Sequence, residues 1–140
     1  MERYRTEPAL GEEPGVICDG LIGYNRSRVP FLRKEAFVPV NLVIRDEQGV
    51  AAGILGEIYC WDCMSVEVLW VREDCRGRGM GSALLQEAER IAREKNCGLI
   101  HLDTFDFQAK DFYENHGYQV FGVLEDCPGG HSRFYMKKKL

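Results

Sequence analysis

Asp74-Cys75-Arg76-Gly77-Arg78-Gly79-Met80-Gly81-Ser82 is the stretch that decides the fold. A strand-like apolar run, Val66–Val71, precedes it, and a long amphipathic run, Met80–Asn96, follows it. Glycines let backbone N–H groups come close to a ligand, and the first turn of a helix adds free N–H groups and partial positive charge. Arg76 and Arg78 add full charges that can grip phosphate oxygens. The pattern therefore predicts a strand, a tight turn and a helix start that bind a phosphate or pyrophosphate.

Two common phosphate-binding loops do not fit this stretch. A P-loop would close with Gly-Lys-Ser/Thr, and a dinucleotide fingerprint would place its third glycine one residue later. The spacing that remains is R-x-x-G-x-G, formed by Arg76, Gly79 and Gly81. It resembles the acetyl-coenzyme A loop of the GCN5-related N-acetyltransferases, the GNAT family. The alternative is a glycine-rich turn that only links a strand to a helix.

The resemblance implies acetyl-CoA as cosubstrate, with its pyrophosphate on the loop. In the family the fourth and fifth strands splay apart, and the pantetheine pairs with the fourth strand. That arrangement makes physical sense because an open strand edge is costly unless a ligand completes it. A strand N–H group there could also stabilise the oxyanion of the reaction. The cofactor-binding residues implied in this chain are Leu69, Trp70, Val71, Arg76, Gly77, Arg78, Gly79, Met80, Gly81 and Ser82.

A second motif lies near the end of the chain. The segment Ala109–Tyr118 resembles the family's A-x-x-x-Y-E-x-x-G-[FY] helix, in which the tyrosine protonates the departing thiolate. This implies that Tyr113 is the general acid, and a phenol with a pKa of about 10 does hold its proton at neutral pH. The alternatives are a core aromatic or a contact that only positions the cofactor. Asp106 stands where the family often has Asn, and an acidic side chain is an unexpected neighbour for an anionic cofactor.

A base is expected because the attacking amine must lose a proton. Glu67 is the main candidate, since it lies between Val66 and Val68 on a predicted strand, where a charge is costly unless paired or functional. A salt bridge or a solvated strand end is the alternative. His101 and His116 are lesser candidates. We expect a primary amine to attack the thioester directly in a ternary complex, without a covalent acyl-enzyme.

Composition restricts the class of protein. The chain has 140 residues with 45% hydrophobic residues and a net charge of −4, which suits one domain, 1–140, and argues against a nucleic-acid binder. No stretch approaches the roughly 20 apolar residues of a membrane span. The N-terminus lacks the apolar core of a signal peptide, so we expect a cytoplasmic protein with six reduced cysteines.

The motif Cys60-Trp61-Asp62-Cys63 is a C-x-x-C and suggests a rival function as a redox or metal protein. A structural zinc site would need a second pair at similar spacing, which the chain lacks. A thioredoxin-like dithiol would begin a helix, whereas this pair falls in a predicted hairpin turn. We therefore expect no metal. The other rival is a non-catalytic acyl-CoA-binding module with the same fold.

The periodicity of apolar residues predicts an α+β protein with a mixed, mostly antiparallel sheet, a splayed strand pair and flanking helices. This order resembles the GNAT fold from the first helix onward. A loop such as Ser27–Phe37 often borders the acceptor pocket of a ligand-binding fold, so the residues in or beside it are substrate candidates, with ordinary surface residues as the alternative: Arg26, Arg28, Phe31 and Arg33. The last hairpin offers a homodimer contact. The predicted strands are Arg3–Thr6, Val38–Arg45, Val50–Trp61, Met64–Val71, Leu99–Asp103, Tyr118–Glu125 and Ser132–Lys138; the predicted helices are Gly15–Ser27, Met80–Asn96 and Gln108–His116.

Overall fold

The computed structural model describes residues 4–140, which form two compact units that meet in sequence at Leu32 and Arg33. The smaller unit contains helix α1, Glu13–Arg28, with a proline in its first turn as predicted. Most of its apolar side chains are exposed, Ile17 to 67%. The predicted strand Arg3–Thr6 is wrong for its described part: residues 4–6 form no strand, and Arg3 lies outside the described residues.

The larger unit is built around one six-stranded sheet with the strand order β1-β2-β3-β4-β6-β5. The strands β3 and β4 are parallel and all other neighbouring pairs are antiparallel. This confirms the α+β class, the meander, the β-α-β unit and the last hairpin. The elements are β1 Phe37–Asp46, β2 Gly49–Tyr59, β3 Cys63–Val71, a 3-10 turn Glu73–Cys75, α2 Met80–Glu94, β4 Leu99–Phe105, α3 Lys110–Asn115, β5 Gln119–Glu125 and β6 Ser132–Lys139.

The sheet has two chemically different faces. One, the helix-covered face, packs against α2 and α3 and carries the core; its fully buried members include Ile54, Met64 and Ile100. The alternation of strand side chains places polar residues on the other face, and we call this the polar face. It includes Glu57 and Tyr59 on β2, His101 and Asp103 on β4, and Arg133 on β6.

A gap opens between β3 and β4. Their pairing ends at Val66 and Leu102, although β3 continues to Val71 and β4 to Phe105. At the same level β2 pairs with Val66 and then with Val68, so Glu67 is the extra residue of a β-bulge. Gly56 permits this close packing, because a Cβ there would lie 2.7 Å from Met64 Cε and 3.0 Å from the Ser65 oxygen. The splay implied by the GNAT resemblance is therefore present.

Two further features of the structure concern the expected absence of a membrane span and the expected homodimer contact. None of the helices formed by residues 4–140 is long and apolar enough to cross a membrane. Strand β5 lies at the sheet edge and exposes Phe121 and Val123. The homodimer contact at this hairpin stays a prediction.

A buried charge anchors α2 to the last strand. Glu89 is only 4% exposed, accepts hydrogen bonds from Lys138 Nζ at 3.0 and 3.1 Å, and accepts a third from the Tyr118 hydroxyl at 3.1 Å. Burial, followed by the charge of Glu89, raises the pKa of Tyr118, so the phenol keeps its proton and remains a donor. These bonds satisfy a carboxylate that would otherwise be very costly to bury.

We expect Glu89→Gln to lower the free energy of unfolding by about 3 kcal/mol, because it breaks a buried ion pair and leaves Lys138 without its charged partner. Urea denaturation measures this. Glu87→Gln is the matched control. Glu87 lies on the same helix and pairs with Arg90, but both side chains of this pair are half-exposed. Losing the pair should therefore lower the free energy of unfolding by about 1 kcal/mol or less. Equal losses for the two variants would contradict this account.

Candidate active site

The gap between β3 and β4 widens into a cavity of about 860 Å³. Side chains from both faces of the sheet line it: Leu69 and Leu102 from the helix-covered face, Glu67, Trp70 and Asp103 from the polar face. The cavity therefore passes through the sheet. The complete lining is Val66–Val71, Cys75–Gly77, Gly79–Ser82, Leu102–Thr104, Phe107–Ala109, Phe112 and Tyr113.

The glycine loop lines part of this cavity. Gly77 and Gly79 have φ angles of 75° and 82°, in the left-handed region that favours glycine, and Gly79 is the N-cap of α2. A Cβ built on either glycine would meet no atom within 4 Å, so the backbone here borders empty space. The first N–H groups of α2 have no partner within the helix. Together these features form the phosphate-binding loop that the sequence predicts.

Arginines hold the loop in place. Arg76 Nε donates to the Val71 oxygen at 3.1 Å, which ties the loop to the end of β3. Arg72 donates to Asp74 at 2.6 Å and also to Asp46. The bond from Arg72 to Asp46, followed by one from the Gln48 backbone, lowers the pKa of Asp46. Arg78 is exposed and is the one predicted cofactor-binding residue outside the cavity lining among the described residues.

Cys75 lines the cavity beside the loop but is poorly suited to nucleophilic chemistry. It is 2% exposed, and burial raises the pKa of its thiol. A thiol is a good nucleophile only as the thiolate. The geometry therefore favours direct transfer over a covalent intermediate on this residue.

Tyr113 lines the same cavity from helix α3. Helix α3 places it against Phe112 and Tyr118 in edge-to-face contacts, and it is 6% exposed. Burial, followed by the negative charge of Asp103, raises the pKa of Tyr113 to about 12. Its phenol thus stays protonated at neutral pH and is available as a proton donor.

Glu67 enters the same cavity from the β3 wall, because the bulge turns it out of the regular pairing. It is exposed, which agrees with the alternative of a solvated strand position. Burial, followed by the charge of Glu67, raises the pKa of Glu57, so the two carboxylates lie close together on the polar face. The sequence-predicted acid and base, Tyr113 and Glu67, therefore share one cavity.

The lesser candidates have structural partners instead. His101 Nε2 lies 2.6 Å from the Tyr59 hydroxyl, and burial lowers the pKa of His101, so its ring is neutral near pH 7. His116 Nδ1 lies 2.8 Å from the Phe112 oxygen. Asp106 accepts a hydrogen bond from the Ser132 backbone N–H at 2.9 Å and so braces the last hairpin. None of these three is among the described residues that line the cavity.

Two of the predicted substrate arginines have structural partners. Arg33 forms an ion pair with Asp62 at 2.5 Å, at the turn between β2 and β3. Arg26 lies over the Phe31 ring at 4.7 Å, within the smaller unit. The structure thus gives Arg33 a role in holding a turn, and it provides no cavity contact for it within residues 33–140.

Cys60 and Cys63 flank a tight turn in which Cys60 and Asp62 have positive φ angles. The Cys63 thiol points to the Trp61 oxygen at 3.7 Å. Within residues 4–140 no cysteine forms a disulfide, and no group of three or more His, Cys, Asp or Glu side chains is placed to bind a metal ion. The hairpin position predicted for this pair is confirmed.

Sequence analysis missed several lining residues. Asp103, Thr104 and Gln108 are in this group, together with Phe112. Asp103 could have been noticed in the sequence, because it is a charged residue at the end of a predicted strand. Its place in the cavity depends, however, on where the β3–β4 pairing stops, which no local pattern specifies.

Comparison with known proteins agrees with this geometry. The Acetyltransferase (GNAT) domain family matches residues 39–120. A blasticidin-S acetyltransferase from Streptomyces morookaense is 37% identical over 92 residues, covering 65% of this chain and 67% of the relative. The crystal structure of an acetyltransferase from Bacillus cereus is 40% identical, with a TM-score of 0.85 and 98% of each chain covered.

A more distant likeness concerns the fold alone. A crystal structure described as a streptothricin acetyltransferase from Bacillus anthracis, in complex with acetyl coenzyme A, is 19% identical with a TM-score of 0.65; the match covers 79% of this chain and 66% of that one. The family match spans more than half of the chain and includes the glycine loop, both walls of the cavity and Tyr113. The chain belongs to the GNAT acetyltransferase family.

Proposed function

We propose that this chain is an acetyl-CoA-dependent N-acetyltransferase that transfers the acetyl group to a primary amine by direct attack in a ternary complex. The observation that carries the proposal is the cavity through the sheet. Its lining brings together the glycine loop, Tyr113 and Glu67. Two ligands that approach from opposite faces could meet inside it.

The residues that line the cavity are suited to bind acetyl-CoA. The N–H groups of the loop and of the first turn of α2, with Arg76, would hold the diphosphate. The backbone of Leu69–Val71, beyond the last β3–β4 pair, would bond the pantetheine like an added strand. Acetyl-CoA would supply an activated acetyl thioester. The bound acetyl-CoA in the structurally similar Bacillus anthracis protein supports this choice of ligand.

The amine would reach the cavity from the polar face, because α2 and α3 pack on the other face. Glu67 is placed on that side and would accept the proton that the amine loses. Tyr113, protonated and buried, would donate a proton to the departing sulfur. A β3 backbone N–H beyond Val66 would stabilise the oxyanion.

The direct test is turnover. The purified protein is mixed with acetyl-CoA and a panel of amines that includes blasticidin S, because a similar protein is named for that acceptor. We expect release of free thiol with at least one amine and formation of an acetylated amine by mass spectrometry. Tight acetyl-CoA binding without turnover of any amine would instead support the non-catalytic acyl-CoA-binding module.

We expect Glu67→Gln to lower kcat by about 100-fold, because the amine then lacks its proton acceptor. The dissociation constant of acetyl-CoA should change little, since Glu67 is not among the residues proposed to hold it. Initial-rate kinetics and calorimetric titration measure the two quantities. Glu47→Gln, an exposed change in the β1–β2 turn, is the control. A kcat for Glu67→Gln equal to that of the control would remove Glu67 from the mechanism.

A further inference from the structure

A second carboxylate faces the reaction cavity from the β4 wall. Asp103 is the first residue of β4 after its pairing with β3 ends at Leu102. Leu102 and Thr104 on either side are buried in the helix-covered face, so Asp103 projects to the polar face and lines the cavity. Glu67 occupies the corresponding place on the β3 wall.

The orientation of Asp103 is fixed by Arg133. Both Nε and Nη2 of Arg133 lie 2.8 Å from the same oxygen, Oδ1 of Asp103. Oδ2 can therefore accept a further hydrogen bond. The guanidinium is itself held between two rings, 5.4 Å from the Phe105 centroid and 5.3 Å from that of Tyr135. A carboxylate fixed in this way loses little freedom when it binds a ligand.

Asp103 is also close to the group that would protonate the leaving sulfur. Its charge contributes to the raised pKa of Tyr113, after burial. The acetyl end of the cosubstrate would lie beside that phenol, so an amine that attacks it must pass between Glu67 and Asp103. With two carboxylates where the amine enters the cavity, one can accept its proton while the other binds the ammonium group.

We propose that Asp103 holds the ammonium group of the acceptor through Oδ2, while Glu67 accepts the proton that makes the amine a nucleophile. This deepens the proposed function and rests on it. The acceptor class is then an aliphatic amine that arrives as a cation. Arg133 is the positioning residue that orients Asp103.

Two coenzyme A thioethers test this without knowledge of the natural acceptor. S-aminoethyl-coenzyme A carries an ammonium group at the end of a two-carbon chain on the sulfur. S-propyl-coenzyme A has the same shape without the charge. Calorimetry gives the dissociation constant of each with the wild-type protein, Asp103→Asn and Asp111→Asn. Asp111 is an exposed carboxylate on α3, so its variant has the same change in net charge away from the cavity lining.

The expected result is a preference for the ammonium thioether of about tenfold or more in the wild type and in Asp111→Asn, the size of one charge-assisted hydrogen bond. Asp103→Asn should lose that preference and keep its affinity for the propyl thioether. Equal affinities for both thioethers in the wild type, or a preference that survives in Asp103→Asn, would overturn the role of Asp103 while leaving coenzyme A binding intact. If neither thioether binds the wild type, the proposed function itself fails.

Discussion

Replacing Tyr113 with Phe should lower kcat by about 100-fold or more, because the variant cannot donate a proton to the leaving sulfur. The phenyl ring fills the same buried space against Phe112 and Tyr118. The variant should therefore fold normally and bind acetyl-CoA with a similar dissociation constant. Stopped-flow or steady-state thiol release measures kcat, and calorimetric titration measures the binding.

Tyr118→Phe is the matched control for this variant. Tyr118 is also buried, but its hydroxyl donates to Glu89 and is not part of the cavity lining among residues 4–140. Its loss should lower the free energy of unfolding by about 1 kcal/mol and leave kcat nearly unchanged. If Tyr113→Phe kept wild-type kcat, or if both variants lost activity in parallel with stability, Tyr113 would be a core aromatic and not the acid.

Gly79→Ala should weaken acetyl-CoA binding by about tenfold or more. Gly79 has a φ angle of 82° and a Cβ there would enter the empty space beside the first N–H groups of α2, where the diphosphate is proposed to bind. The left-handed conformation also costs alanine about 1 kcal/mol of folding free energy. The dissociation constant of acetyl-CoA and the free energy of unfolding are both measured.

Gly130→Ala separates the blocking of the diphosphate site from the cost of the left-handed backbone conformation. Gly130 has a φ angle of 79° and the same empty surroundings, but it lies in the loop between β5 and β6. It should show the same loss of stability with unchanged acetyl-CoA binding. Equal weakening of binding in the two variants would show that strain, and not occupation of the loop, is responsible.

The parts of the fold that were predictable from the sequence depend on local chemistry. The glycine loop, the amphipathic helix after it and the parallel strand that must follow a β-α-β crossover are all encoded within about 35 contiguous residues. Tyr113 was reached through its motif and does lie in the cavity.

The parts that failed depend on contacts between distant segments. The strand Arg3–Thr6 had too weak a pattern to specify a partner, and residues 4–6 form no strand. Arg33 resembled a substrate contact, but it pairs with Asp62, which lies 29 residues further along the chain. Asp103 was overlooked because its exposure to the cavity follows from where two strands part. The single-domain organisation over residues 1–140 stays a prediction.

The central claim is that acetyl-CoA lies in the gap between β3 and β4. A crystal structure of the protein soaked with coenzyme A tests it most directly. We predict that the diphosphate lies on the backbone N–H groups of residues 76–82, that the pantetheine runs along Leu69–Val71, and that the sulfur lies beside the Tyr113 hydroxyl. A coenzyme A molecule bound elsewhere on the surface, with this gap empty, would contradict the account.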